Sequence, residues 1–216
     1  STPTASSTPS ENGDTSPFSG GDHATELREA GSYTIQFTFE GISDSSGTSA
    51  LSGTEKADLE TGERYSTVTT ESDEREFSFE YYLPPDSDTA YRHVAGQTEE
   101  IPESQALLFN FTNPGTGESA DEWPHFQEAG SGETALGPAT KYVVDSVEDL
   151  PESTTGEFDS VESVDFVVWI DDDTGVVAKY DYQLTYTEDG EENTIRMQFE
   201  ITDLGSTTIE EPDWAP

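Results

Sequence analysis

The sequence predicts a mainly β protein built around an antiparallel sheet, with only a few short helices. Apolar and polar residues alternate along several segments, which is the two-residue period of a strand that buries one face. Short loops that contain glycine join the clearest of these segments, as in a β-meander. Segments with the period of an amphipathic helix are scarce. Together these patterns favour a sheet protein.

The first predicted strand, Ser32–Glu40, shows the alternation most clearly. Its aromatic and β-branched residues on one face are Tyr33, Ile35, Phe37 and Phe39. The same period predicts strands at Phe77–Leu83, Val164–Ile170, Val176–Tyr186 and Thr194–Thr202. A short strand is expected at Thr207–Glu210, which would complete one contiguous C-terminal sheet. Weaker patterns predict strands at Thr48–Leu59, Glu63–Thr70, Thr89–Ala95, Ala106–Thr112 and Ala139–Asp145.

Hairpin turns are predicted between the C-terminal strands at Asp171–Gly175 and at Glu188–Glu191. A third turn is predicted at Leu204–Ser206, before the short strand. Asp173-Thr174-Gly175 also matches the triplet of aspartic proteases. That chemistry needs two such carboxylates in one site, and the chain holds one copy. The aspartates offer oxygen ligands to Ca²⁺ or Na⁺, but the spacing of a calcium loop is missing. A hairpin turn explains the segment better than either site.

Helices are expected in three places only. Asp22–Ala30 has a capping aspartate at its start, and Gly31 follows its end. Ser119–Ala129 predicts a second helix that Pro124 either begins or splits. Ser146–Ser160 contains proline and glycine and fits one or two short turns.

The charge of the chain indicates a protein that folds in high salt. It has 47 acidic residues against 8 Lys and Arg, for a formal net charge of −39. Such self-repulsion is screened only when the Debye length falls to about 3 Å, in molar salt. An acidic disordered chain is the alternative reading of the composition, but the regular alternation of apolar residues argues against it. The negative surface also excludes nucleic acid as a direct partner.

The first 21 residues differ in composition from the rest. Ser1–Gly21 is rich in Ser, Thr and Pro, which predicts either a disordered stalk or an ordinary disordered terminus, followed by a single domain over 22–216. A chain that begins at Ser1 without methionine is expected to be a mature protein whose signal segment has been removed. Asn110-Phe111-Thr112 is an N-glycosylation sequon, which makes Asn110 a candidate glycosylation site.

No motif in the sequence supports catalysis or cofactor binding. The chain has no cysteine and three histidines that lie far apart, so neither a metal site nor a cofactor is expected. His125 stands between Trp123-Pro124 and Phe126, which favours packing at the edge of an aromatic cluster over metal binding. A carboxylate pair for glycoside hydrolysis cannot be singled out among so many acids.

The aromatic residues suggest a binding surface, because a broad sheet with little helical cover often leaves an apolar groove. Core packing is the alternative for most of them. The candidate lining residues are Phe37, Phe39, Phe79, Tyr81, Trp169, Tyr180 and Tyr182.

The C-terminal half resembles a known family. Glu162–Ile170 (ESVDFVVWI) leads through the Asp-rich turn to a tyrosine-rich strand, and Asp203–Ile209 leads to a closing Pro212. This order is similar to the LolA/LppX/LprG lipoprotein superfamily, in which a "vwiD…tG" hairpin precedes a last "…dfG…v.i..P" strand. Gly31-Ser32-Tyr33 after a Ser/Thr/Pro stalk resembles the haloarchaeal LolA-like surface lipoproteins. The order of the predicted elements matches that of the family over 22–216. Recognisable motifs are limited to the C-terminal part.

The resemblance implies a strongly curved antiparallel sheet, an incomplete barrel with short helices on its concave face. In the bacterial relatives that hollow holds acyl chains of lipids or lipoproteins in transit. The helices predicted here are short and acidic, and archaeal lipids are isoprenoid ethers, so the fold is transferred more safely than the function.

The expected function is a non-catalytic, membrane-anchored protein of the cell surface that binds a lipid or a lipidated protein. Its anchor would be an N-terminal lipid on a residue that precedes this sequence, and other surface proteins are possible partners. A structural or adhesive domain with a packed core is the first alternative, and a secreted hydrolase is the second.

Overall fold

A computed structural model describes residues 20–43, 47–72, 75–106, 124–156 and 158–216. Within these ranges eleven strands form one antiparallel, open and curved sheet, so the mainly β prediction is confirmed. The helices are α1 Gly20–Ala30, α2 Glu103–Ala106 and α3 Glu152–Thr155, with a 3₁₀ turn at Val147–Asp149. The strands are β1 Ser32–Ser43, β2 Gly47–Asp58, β3 Arg64–Ser72, β4 Arg75–Leu83, β5 Thr89–Val94, β6 Gln97–Pro102, β7 Gln127–Glu133, β8 Pro138–Val144, β9 Ser160–Asp171, β10 Val177–Glu188 and β11 Glu191–Leu204.

The first and last strands meet in the middle of the sheet. The spatial order is β6-β5-β4-β3-β2-β1-β11-β10-β9-β8-β7, so two meanders extend outward from a central seam. In that seam Ile35 lies opposite Ile201, and Phe37 opposite Phe199. We call β1–β6 the N-terminal half and β7–β11 the C-terminal half. The seam makes the fold depend on contacts between residues far apart in the chain.

The core lies on one face of the sheet, which we call the inner face. Alternation along β1 buries Tyr33, Ile35 and Phe37 there, and the paired strands add their own alternate residues. The short helices cover this face, because Leu27 of α1 and Ala106 of α2 belong to the same buried cluster. Hydrophobic burial on this face is the main stabilising contribution to the fold.

The predicted hairpin turns at Asp171–Gly175 and Glu188–Glu191 are confirmed, since they join β9 to β10 and β10 to β11. Asp171 is buried and its Oδ2 accepts hydrogen bonds from the Thr174 amide at 2.9 Å and the Thr174 hydroxyl at 2.7 Å. Gly175 follows with φ of +76°, a conformation that favours glycine. The β10–β11 turn uses positive φ at Asp189 and Gly190, as a two-residue hairpin requires. The Asp-rich segment therefore forms a turn that uses its first carboxylate internally.

The structure differs from the prediction at several elements. The predicted short strand at 207–210 is wrong, because this segment has no strand conformation. Two strands were missed, β6 and β7, and both are edge strands whose residues are mostly exposed. The helix predicted at Ser119–Ala129 is wrong over residues 127–129, which begin β7. The rest of its described part, 124–126, is irregular.

Two further predictions fall mainly on residues that the structure does not describe. The strand expected at Ala106–Thr112 lies outside the described residues except for Ala106, which ends α2. Of the stalk predicted at Ser1–Gly21, only 20 and 21 are described, and they form the start of α1. The stalk therefore stays a prediction, as does the domain boundary that depends on it.

Instead of a strand, residues 205–216 form a C-terminal strap across the face opposite the core, which we call the outer face. Near its start, the Thr207 hydroxyl lies 2.9 Å from that of Thr34 on β1. Near its end, the Trp214 ring stacks on His93 of β5 with centroids 5.0 Å apart. The Trp214 carbonyl also accepts a hydrogen bond of 3.4 Å from Thr98 of β6. The strap thus links the seam to the N-terminal edge of the sheet.

Candidate functional site on the inner face

The structure brings six of the seven candidate lining residues to the inner face. The exception is Trp169. In the β9–β10 register Tyr180 lies opposite Val168, and Trp169 lies opposite Lys179 on the other face. The prediction that Trp169 shares a face with Tyr180 is therefore corrected. Its ring lies on the outer face, with the Nζ atoms of Lys141 and Lys179 at 5.6 and 5.3 Å from its centroid.

Four of the six inner-face residues are part of the packed core. These buried residues are Phe37, Tyr81, Tyr180 and Tyr182. Tyr180, only 1% exposed, stacks on Phe199 at 5.0 Å and meets Phe166 edge-on at 4.7 Å. Burial raises the pKa of the Tyr180 hydroxyl. These side chains face other side chains and belong to the buried core cluster.

Phe39 and Phe79 lie nearer the end of the sheet that carries the β1–β2, β3–β4 and β10–β11 turns, which we call the hairpin end. Both are only partly buried. Phe77, two residues before Phe79 on the same face, is 48% exposed. Further partly buried apolar side chains surround them on the inner face: Leu51, Tyr186, Ile195 and Met197. The apolar lining is thus sealed near α1 and open at the hairpin end.

A buried polar cluster lies on the same face, closer to α1. Glu55 of β2 is 2% exposed, and its Oε1 accepts hydrogen bonds from the Tyr33 hydroxyl at 2.7 Å and from Nη1 of Arg64 at 3.1 Å. Ser66 lies 3.5 Å from its other oxygen. Desolvation raises the pKa of Glu55, and the nearby Arg64 guanidinium opposes that shift. Burial, with the Glu55 carboxylate as a second cause, raises the pKa of Tyr33.

Two of these features were absent from the sequence prediction. Phe77 was left out of the candidate lining, although it shares its parity with Phe79 and the two-residue period places it on the same face. Glu55 sits between Gly53 and Ala57 on a strand with weak alternation. No local pattern distinguished this carboxylate from the many others in the chain.

The three histidines lie in separate parts of the described structure. His23 is buried in α1, and its Nδ1 accepts a hydrogen bond from the Val177 amide at 3.1 Å. His125 is exposed, while its neighbour Phe126 packs edge-on against Phe166 at 4.8 Å. The expected packing of His125 is thus corrected in favour of Phe126. No group of three or more His, Asp or Glu side chains in the described ranges could hold a metal ion.

Two other sequence-based expectations concern glycosylation and the membrane. Asn110, the candidate glycosylation site, lies outside the described residues. Among the helices that are described, none has the length and apolar character to cross a membrane.

Comparison with known proteins gives one family match and several structural similarities. A family model described as "Family of unknown function (DUF7537)" matches residues 1–216. No curated protein matches the chain significantly. Among solved structures, the lipoprotein LppX of Mycobacterium tuberculosis is similar with a TM-score of 0.46 and 10% identity, over 87% of this chain and 95% of LppX.

Two other solved structures are similar at lower scores. The Pseudomonas aeruginosa MucA/MucB complex gives a TM-score of 0.36 and 18% identity, over 88% of this chain and 59% of the matched chain. A LolA superfamily protein from Nitrosomonas europaea gives 0.31 and 9%, over 87% of this chain and 95% of that protein. LppX and the Nitrosomonas europaea protein are of the LolA/LppX fold type.

Proposed function

The chain belongs to the family of unknown function DUF7537, and we propose that it binds a hydrophobic ligand without chemistry, at the hairpin end of the inner face. The observation that carries the proposal is the exposure of Phe77, 48%, beside partly buried apolar side chains of the inner face. Exposed apolar surface of this kind, next to a core, is where ligands bind. The ligand would be a lipid or the lipid group of a lipidated protein.

The depth of the site follows from the packing behind it. Phe37 and Tyr180 are buried in the core, and the Glu55 cluster occupies the inner face towards α1. A hydrophobic ligand is therefore expected to contact Phe39, Phe77 and Phe79 and to stop short of Glu55. The site proposed here is a shallow apolar mouth, and Phe37, Tyr81, Tyr180 and Tyr182 would support it from behind.

Binding of a fluorescent palmitate analogue and a fluorescent geranylgeranyl analogue, in about 2 M NaCl to screen the charge, tests the proposal. We expect saturable binding by the parent protein. Phe77→Asp should weaken it by on the order of tenfold, because a buried Phe contributes about 1.5–3 kcal/mol.

Ile42→Asp is the matched control. Ile42 is 46% exposed and also lies near the hairpin end, but β1 alternation places it on the outer face. This variant adds the same charge and should bind both probes as the parent does. Absence of probe binding to the parent, or equal losses in the two variants, would refute the proposal.

A ligand-free structural or adhesive domain is the second candidate. The burial of four of the candidate lining residues favours it, because they already fill the inner face behind the mouth. The same titration separates the two functions, since a domain with a packed core and no ligand binds neither probe.

We further propose that the protein works at the cell surface of a halophile, held to the membrane by an N-terminal lipid. The net charge of −39 and the Ser/Thr/Pro-rich first residues support this location. Circular dichroism across an NaCl series should show loss of structure below about 0.5 M salt, as screening weakens. A stability that does not change with salt would count against the halophilic setting.

A further inference from the structure

The outer face carries a groove of about 480 Å³ across β2, β1, β11 and β10. Two rows of paired residues line it. In the first row, Gln36 lies between Thr54 and Glu200, and Glu200 pairs in turn with Lys179. In the second row, Thr38 lies between Ser52 and Gln198. Four strands spaced about 4.8 Å apart give the groove a width of roughly 14 Å.

The charged groups of the groove have protein partners. Lys179 Nζ lies 3.8 Å from Glu200, and the other carboxylate oxygen of Glu200 accepts a hydrogen bond of 3.2 Å from the Ala135 amide. Gln198 donates to Asp181, beside the groove, at 2.8 Å. Because these charges are paired within the protein, the groove offers little attraction to an ion.

Four neutral side chains that line the groove, unlike the charged ones, lack hydrogen-bond partners among the described residues. The side chains of Gln36, Thr38, Ser52 and Thr54 form no hydrogen bond within the described part of the chain. Opposed hydroxyls elsewhere on this face do bond to each other, as Thr185 does to Thr194 at 3.2 Å. The groove therefore keeps a two-by-two array of free amide and hydroxyl groups, able to donate and to accept.

The array stands out against the charge of the whole chain. With 47 acidic residues, the protein repels anions, whereas the array itself carries no charge. The adjoining row, which begins at Thr34, is covered by the strap through Thr207. The strap does not line the groove. Among the described residues, the groove is thus a neutral, hydrogen-bonding surface on a polyanion, and the strap does not cover it.

We propose that this groove binds a neutral oligosaccharide. Sugar hydroxyls both donate and accept hydrogen bonds, which matches the free groups of Gln36, Thr38, Ser52 and Thr54. A neutral ligand meets no repulsion from the net charge. Trp169 lies opposite Lys179, at the end of the first row, and adds an aromatic ring beside the site. The site is on the opposite face from the proposed hydrophobic mouth and does not depend on it.

Calorimetry with the full chain in about 2 M NaCl tests the proposal, using linear hexasaccharides of glucose, mannose and N-acetylglucosamine as probes. At least one of the three should bind. Gln36→Ala should weaken that binding about fivefold, the usual effect of losing one neutral hydrogen bond. The matched control is Gln183→Ala, since Gln183 is also an exposed glutamine on the outer face but lies outside the groove. It should leave affinity unchanged.

Three results would overturn the proposal. The first is no binding of any of the three probes at millimolar concentration. The second is an equal effect of both glutamine variants, with circular dichroism showing that both are folded. The third is self-association through the groove, seen in sedimentation as a dimer that Ser52→Arg dissociates. The Phe77→Asp variant should bind the oligosaccharide as the parent does, which separates this site from the hydrophobic one.

Discussion

The two halves of the sheet use their inner faces differently. In the C-terminal half, Phe166 lies within 4.8 Å of the Phe126 ring, 4.7 Å of Tyr180 and 5.1 Å of Tyr182, measured between ring centroids. In the N-terminal half, the corresponding surface carries the buried Glu55 cluster and the half-exposed Phe77. Aromatic packing closes the apolar face of the C-terminal half around Phe166, whereas the N-terminal half leaves part of its face polar and part of it open.

This difference suggests a division of roles within one sheet. Edge-to-face aromatic packing gives the C-terminal half stability and a fixed shape. The N-terminal half is less stabilised, because it buries the Glu55 carboxylate, and removing a carboxylate from water costs free energy even when it has an ionic partner. It also leaves Phe77 and Phe79 incompletely covered. A ligand-binding surface fits best on the half whose apolar face is open.

Truncation of one phenylalanine in each half should give the largest contrast. Phe166→Ala is expected to lower the free energy of unfolding by about 3–5 kcal/mol, since Phe166 is 1% exposed and a cavity would remain. Phe77→Ala should cost about 0.5 kcal/mol, as expected at an exposed site. Urea denaturation of both variants in about 2 M NaCl measures the difference.

The comparison between halves would fail if the two variants lost similar stability. A large loss for Phe77→Ala would mean that Phe77 packs as a core residue and that the hairpin end is not an open mouth. A small loss for Phe166→Ala would mean that the aromatic cluster repacks easily. Either result would remove the contrast on which the location of the proposed ligand site rests.

The clear strands were predictable because each buries one face. Tyr33, Ile35 and Phe37 alternate with polar residues, and the pattern alone placed β1. The edge strands β6 and β7 gave no such signal, since QTEEIP and QEAGSGE are exposed on both sides along most of their length. Backbone pairing with the neighbouring strands β5 and β8 holds these segments in the sheet, and backbone pairing without a buried face leaves no two-residue period in the sequence.

The site was harder to predict than the fold. The two-residue period divides the residues of one strand between two faces of the sheet. It does not show which residues of a neighbouring strand share each face. Trp169 was placed with Tyr180 for this reason, although the register puts it opposite Lys179. The sequence also does not show how deeply a side chain is buried. It therefore could not distinguish the buried Tyr180 from the half-exposed Phe77. The Glu55 cluster depends on Arg64 and Ser66 from the next strand, which alternation along β2 does not reveal.

The pH dependence of stability gives a smaller and more specific contrast, centred on Glu55 in the N-terminal half. Burial raises the pKa of Glu55 above its ordinary value of 4.5. Between the ordinary and the raised pKa, the folded state binds a proton that the unfolded state does not. The free energy of unfolding must therefore fall as pH rises through this window. The glutamine side chain of the Glu55→Gln variant cannot titrate. The free energy of unfolding of this variant should therefore fall less than that of the parent as pH rises from about 5 towards neutrality.

Melting temperatures of the parent and of Glu55→Gln across this range, in about 2 M NaCl, measure the effect. High salt screens repulsion between surface carboxylates but acts little on a buried group, so the contribution of Glu55 remains. Glu71→Gln is the control, because it removes the same charge from an exposed position on β3. Parallel curves for the parent and Glu55→Gln would contradict the raised pKa. An equal change in both variants would assign the effect to net charge, and the buried carboxylate would then no longer distinguish the two halves.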